Sequence, residues 1–219
     1  MTAHSNEVAY SSAMKFLLGD ATDADLCVAL HHEFLRCHDA FTEFQAYASR
    51  SILLGENSWL SFKTYNAYSR FIHHLYEFIV GARMREKRDT AKGDPRVLAK
   101  DVKDFVESHA QRILTNKREA IKNGTAPSWE NSLSAYPEKI PSTFAGDFRD
   151  FRNKVAGHVS HERSSLSLSD FYDRYHLYLH MLYRDALSWW GLRGSEFPDL
   201  KEITDFAVLI KNKGAREFP

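Results

Sequence analysis

The 219-residue chain has only two cysteines, six prolines and ten glycines, and it carries no net charge, because 29 Lys and Arg balance 29 Asp and Glu. Each scarcity excludes something. Cys27 and Cys37 fall on one predicted helix and point in different directions, so a disulfide between them is not expected. Two reduced thiols fit a cytoplasmic protein. Few Pro and Gly argue against a turn-rich β architecture. Balanced charge argues against non-specific coating of nucleic acid and leaves room only for a local basic site. No apolar run approaches the roughly 18 residues needed to cross a bilayer. Met1-Thr2-Ala3-His4-Ser5-Asn6-Glu7 lacks the basic start and apolar run of a secretory leader. A soluble protein with no membrane partner is therefore expected. There is no Gly-x-Ser-x-Gly elbow, and Gly191-Leu192-Arg193-Gly194 follows a helix where a phosphate loop would precede one.

What the chain does have is aromatic side chains and helical periodicity. Aromatics make up 13% of residues, which implies a core built from Phe and Tyr. Asp20 or Thr22 can cap a first helix to about Ser49, with Leu26, Leu30, Phe34, Cys37, Phe41, Phe44 and Ala48 on its apolar face. Ser58 can cap a second, from Trp59 to about Arg88, with Phe62, Tyr65, Ile72, Leu75 and Ile79 inward. Asp94-Pro95 restarts a third that stops at Asn123-Gly124. Residues 124–141 hold three prolines and form an irregular connection that Trp129 and Leu133 are expected to pin to the body. Pro141-Ser142-Thr143 opens a fourth helix. Ser169 caps a fifth, to about Trp190, with the stripe Phe171, Tyr175, Tyr178, Leu182, Ala186 and Trp189. Pro198-Asp199 starts a short last helix to about Lys211. The expected fold is all-α: a single domain over residues 1–219, an antiparallel bundle of about five long helices with a short C-terminal helix. Residues 1–19 read as an extension and 198–219 as an appendage.

The most informative stretch is 148–163. Phe144, Phe148, Phe151 and Val155 step by four, three and four residues and draw an apolar stripe down one helical face. Arg152 stands beside the stripe, about 100° around from Phe151. On an unbroken helix His158 would lie about 120° from Arg152. Gly157 is placed to end the helix in the left-handed conformation and turn His158 back toward Arg152. A fixed cation beside a group that titrates near neutrality suits phosphate chemistry.

An arginine, a polar residue and then a histidine, at a helix end in an all-helical chain, resembles the signature of the HEPN superfamily (higher eukaryote and prokaryote nucleotide-binding domains). Arg152-Asn153-Lys154-Val155-Ala156-Gly157-His158 carries the resemblance, which in residues covers about 144–163. It implies cleavage of RNA without a metal or other cofactor. His158 would act as general base or acid around the ribose 2′-hydroxyl, and Arg152 would stabilise charge on the phosphoryl oxygens. Asn153 would orient Arg152 or donate to the phosphate. Arg149, His161 and Arg163 would bind flanking phosphates. The resemblance further implies a homodimer that pairs two motifs, and a toxin or phage-defence role restrained by an antitoxin or regulatory partner. Two alternatives stand beside it. One is a relative that binds RNA or nucleotide without turnover. The other is a helical oligomerising scaffold in which Arg152 salt-bridges Asp147 or Asp170 and His158 packs at a helix end.

Other histidines raise the question of a metal. His31-His32-Glu33, His73-His74 with Glu77, and His176 with His180 could present ligands on helical faces. His176 and His180 share a side with Tyr172 and Arg184, which reads as a polar face. No Glu-x-x-His pair exists to build a di-iron bundle. The run Arg83-Met84-Arg85-Glu86-Lys87-Arg88 reads as a solvated helix end whose cations offset the dipole, ahead of a nucleic-acid patch.

Overall fold

A computed structural model describes residues 16–55, 57–90, 95–157, 166–190 and 201–217, and every regular element among them is helical. The α-helices are α1 (Ala21–Leu54), α2 (Ser58–Lys87), α3 (Pro95–Lys122), α4 (Phe144–Arg152), α5 (Leu168–Trp190) and α6 (Lys201–Glu217). A π-helical turn, Asn153–Gly157, continues α4, and two short 3-10 turns, Ser128–Glu130 and Leu133–Ala135, lie between α3 and α4. The all-α class expected from the sequence is what the chain adopts. None of the helices, among the described residues, is long and apolar enough to cross a membrane.

Helix starts follow side-chain capping. Asp20 accepts from the Asp23 amide at 2.9 Å. The second helix is capped by Asn57 and not by Ser58: Asn57 is extended (φ −146°, ψ 162°), which aims its Oδ1 at the Leu60 amide 2.9 Å away, whereas Ser58 is already helical. The fifth is capped by Ser167 and not by Ser169, since the Asp170 amide donates to the Ser167 hydroxyl at 3.0 Å. Asn57→Ala is expected to cost about 1 kcal/mol, read as a lower midpoint in urea unfolding at unchanged slope. α1 runs past Ser49 to Leu54, where Gly55 ends it at φ 80°.

Polar side-chain contacts fix the register of α1 against α2. Asp23 meets Arg85 at 2.7 Å, Glu33 meets His74 at 2.7 Å, and Glu43 meets Arg70. The first partner numbers rise as the second fall, so the two helices are antiparallel. The basic run at the end of α2 is therefore mostly clamp. Arg85 grips the buried Asp23 with two nitrogens, at 2.7 and 3.1 Å. Arg83 and Lys87 converge on Asp101 of α3. The Arg83 hydrogen bond holds the Asp101 carboxyl down to about 2.

Leu30, Phe34, Cys37 and Phe41 of α1 meet Phe71, Ile72, Leu75 and Ile79 of α2 in one core. Val106, Ala110 and Leu114 of α3, Phe144 and Phe148 of α4, and Phe171, Tyr175 and Leu179 of α5 complete it. His176 and His180 are not on a polar face. They stack in a ladder with Tyr172, at 4.2 Å from Tyr172 to His176 and 5.9 Å from His176 to His180, against Phe41 and Phe44. A flat imidazole fills an aromatic layer as a ring does, and the Tyr68 hydroxyl satisfies His176 Nδ1 at 2.9 Å.

Two further expectations are corrected. Trp129 is 82% exposed and does not pin the connection. Polar side chains of α3 hold it instead: Lys117 to Glu130 at 2.9 Å, Arg118 to the Tyr136 carbonyl, and Gln111 to the Ile140 amide at 3.0 Å. Tyr136 and Ile140 supply the apolar contact. Phe62 is exposed and not core, because it lies at the tip of the α1–α2 hairpin with exposed Ile52, Leu53, Leu54 and Trp59.

Candidate functional site

Phe144, Phe148, Phe151 and Val155 are all buried, as their spacing requires, and this fixes the roll of α4 about its axis. The α-helical ladder ends at Arg152, and the π turn begins at Asn153. Gly157 therefore closes a π turn, where the sequence suggested a left-handed helix cap. Such π turns recur at functional sites.

Arg152 emerges toward α2. Its Nη2 donates to the Glu77 carboxylate, and its Nη1 donates to Asn153 Oδ1 at 2.7 Å. The guanidinium carbon sits 5.5 Å from the Tyr76 ring centroid, a cation–π contact. Nε is buried without a partner. A guanidinium has five N–H donors, so the two bonds named leave others unspent, and the side chain stays 28% exposed. Neither Asp147 nor Asp170 is the partner. Asp147 lies five residues back, about 140° around the helix, and it accepts from the Tyr175 hydroxyl of α5.

The other residues singled out in the sequence divide. Arg149 is exposed and lines a separate hollow of about 460 Å³ with Lys100 and Lys103 of α3. His158, His161 and Arg163 lie outside the described residues.

A polar cleft of about 610 Å³ opens beside Val155 of the π turn, between α1 and α2. Arg36, Lys63, Arg70 and His73 line it, with Glu43 as its acidic member. His73 Nδ1 is buried without a partner. Burial first, then the charges of His74 and Arg152, push the His73 imidazole below its ordinary pKa. It enters the site as a neutral ring able to donate from one nitrogen and accept at the other. No group of three His, Cys, Asp or Glu side chains that could hold a metal occurs among the described residues. His74, considered as a ligand, is instead bound to Glu33 at 2.7 Å. Cys37 is buried and its thiol is pushed well up by that burial, so it is a core residue and no nucleophile.

Compared with known protein families, curated proteins and solved structures, the chain matches none.

The sequence reading missed Glu77 as the anchor of Arg152, weighing it only as a metal ligand. It missed Tyr76 and the cleft altogether. A signal was present: Asn66, Arg70, His73 and Glu77 are spaced four, three and four apart, a polar stripe beside the apolar one of the same helix.

Proposed function

We propose that the protein is a HEPN-like ribonuclease that cleaves RNA without a metal, with Arg152 and His158 as its chemical centre. One observation carries the reading: the Arg152 guanidinium is held by Glu77, Asn153 and Tyr76 at a helix-to-π junction, partly exposed and with donors left over, beside a cationic cleft. In the reaction His158 takes the proton of the ribose 2′-hydroxyl, and the 2′-oxygen bonds to the adjacent phosphorus. The bond from phosphorus to the 5′-oxygen breaks, and that oxygen takes up a proton from water, so that one proton is removed and one supplied. Arg152 donates to the non-bridging oxygens as charge grows on them. Asn153 keeps the fork in plane. Arg149, His161 and Arg163 are assigned to flanking phosphates. The protein works as a homodimer that pairs two such motifs. An antitoxin-like partner restrains it in a toxin or defence role.

The ion pair between Glu77 and Arg152 favours a second reading, a relative that binds RNA or nucleotide without turnover, since it neutralises the cation in the free protein. Mixed RNA incubated with pure protein in EDTA separates the two. The nuclease leaves 2′,3′-cyclic phosphate ends. Intact RNA that nonetheless co-migrates with the protein assigns the second reading.

A further inference from the structure

We propose that the cleft between α1 and α2 is a trough for the phosphate backbone of single-stranded RNA, guiding the strand to Arg152. The proposal rests on the RNA reading above and adds the form of the substrate and the residues that carry it. Lys63, Asn66, Arg70, His73 and Glu77 recur at spacings of three, four, three and four, so they occupy one face of α2. That face is about 21 Å long at the helical rise of about 1.5 Å per residue. It ends on Glu77, the residue that holds Arg152. Val155 of the π turn lines the same cleft, so the trough and the site adjoin.

The charge suits a polyanion. Arg36 and Lys63 line the cleft with Arg70, against the single carboxylate of Glu43 among the lining side chains. Glu43 pairs with Arg70 across the floor and fixes the direction of its fork. Arg36 also meets Glu33, at 3.5 Å, and both arginines remain about half exposed, so donors beyond these pairs are left for phosphate oxygens. The far end is aromatic. Tyr47 lines the cleft and meets Trp59 edge-on at 6.0 Å, and Lys63 sits 5.7 Å from the Trp59 ring centroid. Trp59 is exposed, leaving its ring available for a base. Cations along a groove with rings beside them is the arrangement that binds single strands with little sequence preference.

The test uses a fluorescein-labelled, fully 2′-O-methyl 12-nucleotide single strand, which cannot be cleaved through its 2′-oxygen. Anisotropy in EDTA gives its affinity for the full-length protein as salt is raised. The triple variant Arg36→Gln, Lys63→Gln, Arg70→Gln should bind more weakly, with the slope of log affinity against log salt reduced by about 2, at about 0.7 per lost phosphate contact. The double variant Arg36→Gln, Lys63→Gln spares the Arg70–Glu43 pair. It should lose about 1.4 of slope, and it decides the matter if the triple variant unfolds. Lys122→Gln, whose ammonium pairs with Glu119 outside the cleft, should keep the wild-type slope. Wild-type slopes in the cleft variants overturn the proposal. So does equal competition by a duplex of the same sequence, displacement by poly-glutamate at equal charge, or no binding by the wild type. Cleavage of ordinary RNA is read separately. An inactive protein that binds through the cleft defeats the nuclease and leaves the trough standing, and an active one with unaltered variants does the reverse.

Discussion

Arg152→Lys is expected to lower the rate of RNA cleavage by about 10²–10³-fold, the usual effect of losing one donor to a developing oxyanion. An ammonium keeps the charge. It cannot keep three contacts at once, because the Glu77 carboxylate, the Asn153 amide and the Tyr76 face are each met by a different part of the planar fork. A lysine drawn to Glu77 spends its charge there and presents little to a phosphate. His158→Ala should remove a proton-transfer contribution of about 10²–10⁴-fold. Asn153→Ala should be milder, since Arg152 retains Glu77. Glu77→Gln keeps an acceptor for Nη2 but loosens the charged clamp that aims the fork, so its loss should fall mostly in kcat with little change in KM. Single-turnover rates measured over a range of protein concentrations check all four. Wild-type rates in both Arg152→Lys and His158→Ala would assign any cleavage to a contaminant or another site.

The distance between Arg152 and its anchor explains how far the sequence could be read. The α4 stripe is a local pattern: Phe144, Phe148, Phe151 and Val155 announce their burial by spacing alone, and all four are buried. The same holds for Phe171, Tyr175, Tyr178 and Leu182 of α5. Boundaries failed by a residue or two where two capping residues stood close together, at Asn57-Ser58 and at Ser167 and Ser169. Which one caps depends on backbone angles that composition does not set. Glu77 is another matter. It lies 75 residues from Arg152 in the chain, and only the packing of α4 on α2 joins them. Asp147, the nearer choice by sequence, is carried to α5 by the helix's own rotation. Histidine misled for a related reason. The same ring is a ligand on a solvent face and a packing element between aromatics, and His176 takes the second part because Tyr172, Phe41 and Phe44 surround it. The π turn has no sequence pattern that periodicity can detect, since it interrupts the period itself.

The half-buried histidine ladder should make folding stability fall between about pH 6.5 and pH 4. Burial, followed by the charge of neighbouring His180, pushes the His176 imidazole down to about 4. In the unfolded chain the same ring titrates near its free value of about 6.5. Above that value neither state holds the proton, and the stabilisation is fully present. Below it the unfolded chain gains a proton that the folded one refuses, so unfolding is favoured progressively as pH drops toward 4. The full swing from this one group is at most about 3 kcal/mol, a large share of a typical domain's stability. His180 and His73 are also held below their ordinary values by burial, so they steepen the same limb. Asp101, held at about 2 by Arg83, loses its contribution only further down, as pH falls from about 4 through 2, and does not confuse the window. His176→Gln retains an acceptor for the Tyr68 hydroxyl and removes the titration. Urea unfolding of this variant at pH 7.5, 6.5, 5.5 and 4.5 should therefore show a midpoint below wild type at pH 7.5, because the ring stacking is lost, and a shallower decline on acidification. Parallel declines for variant and wild type would mean that His176 is protonated in the fold, and that its ring meets water the ladder is built to exclude.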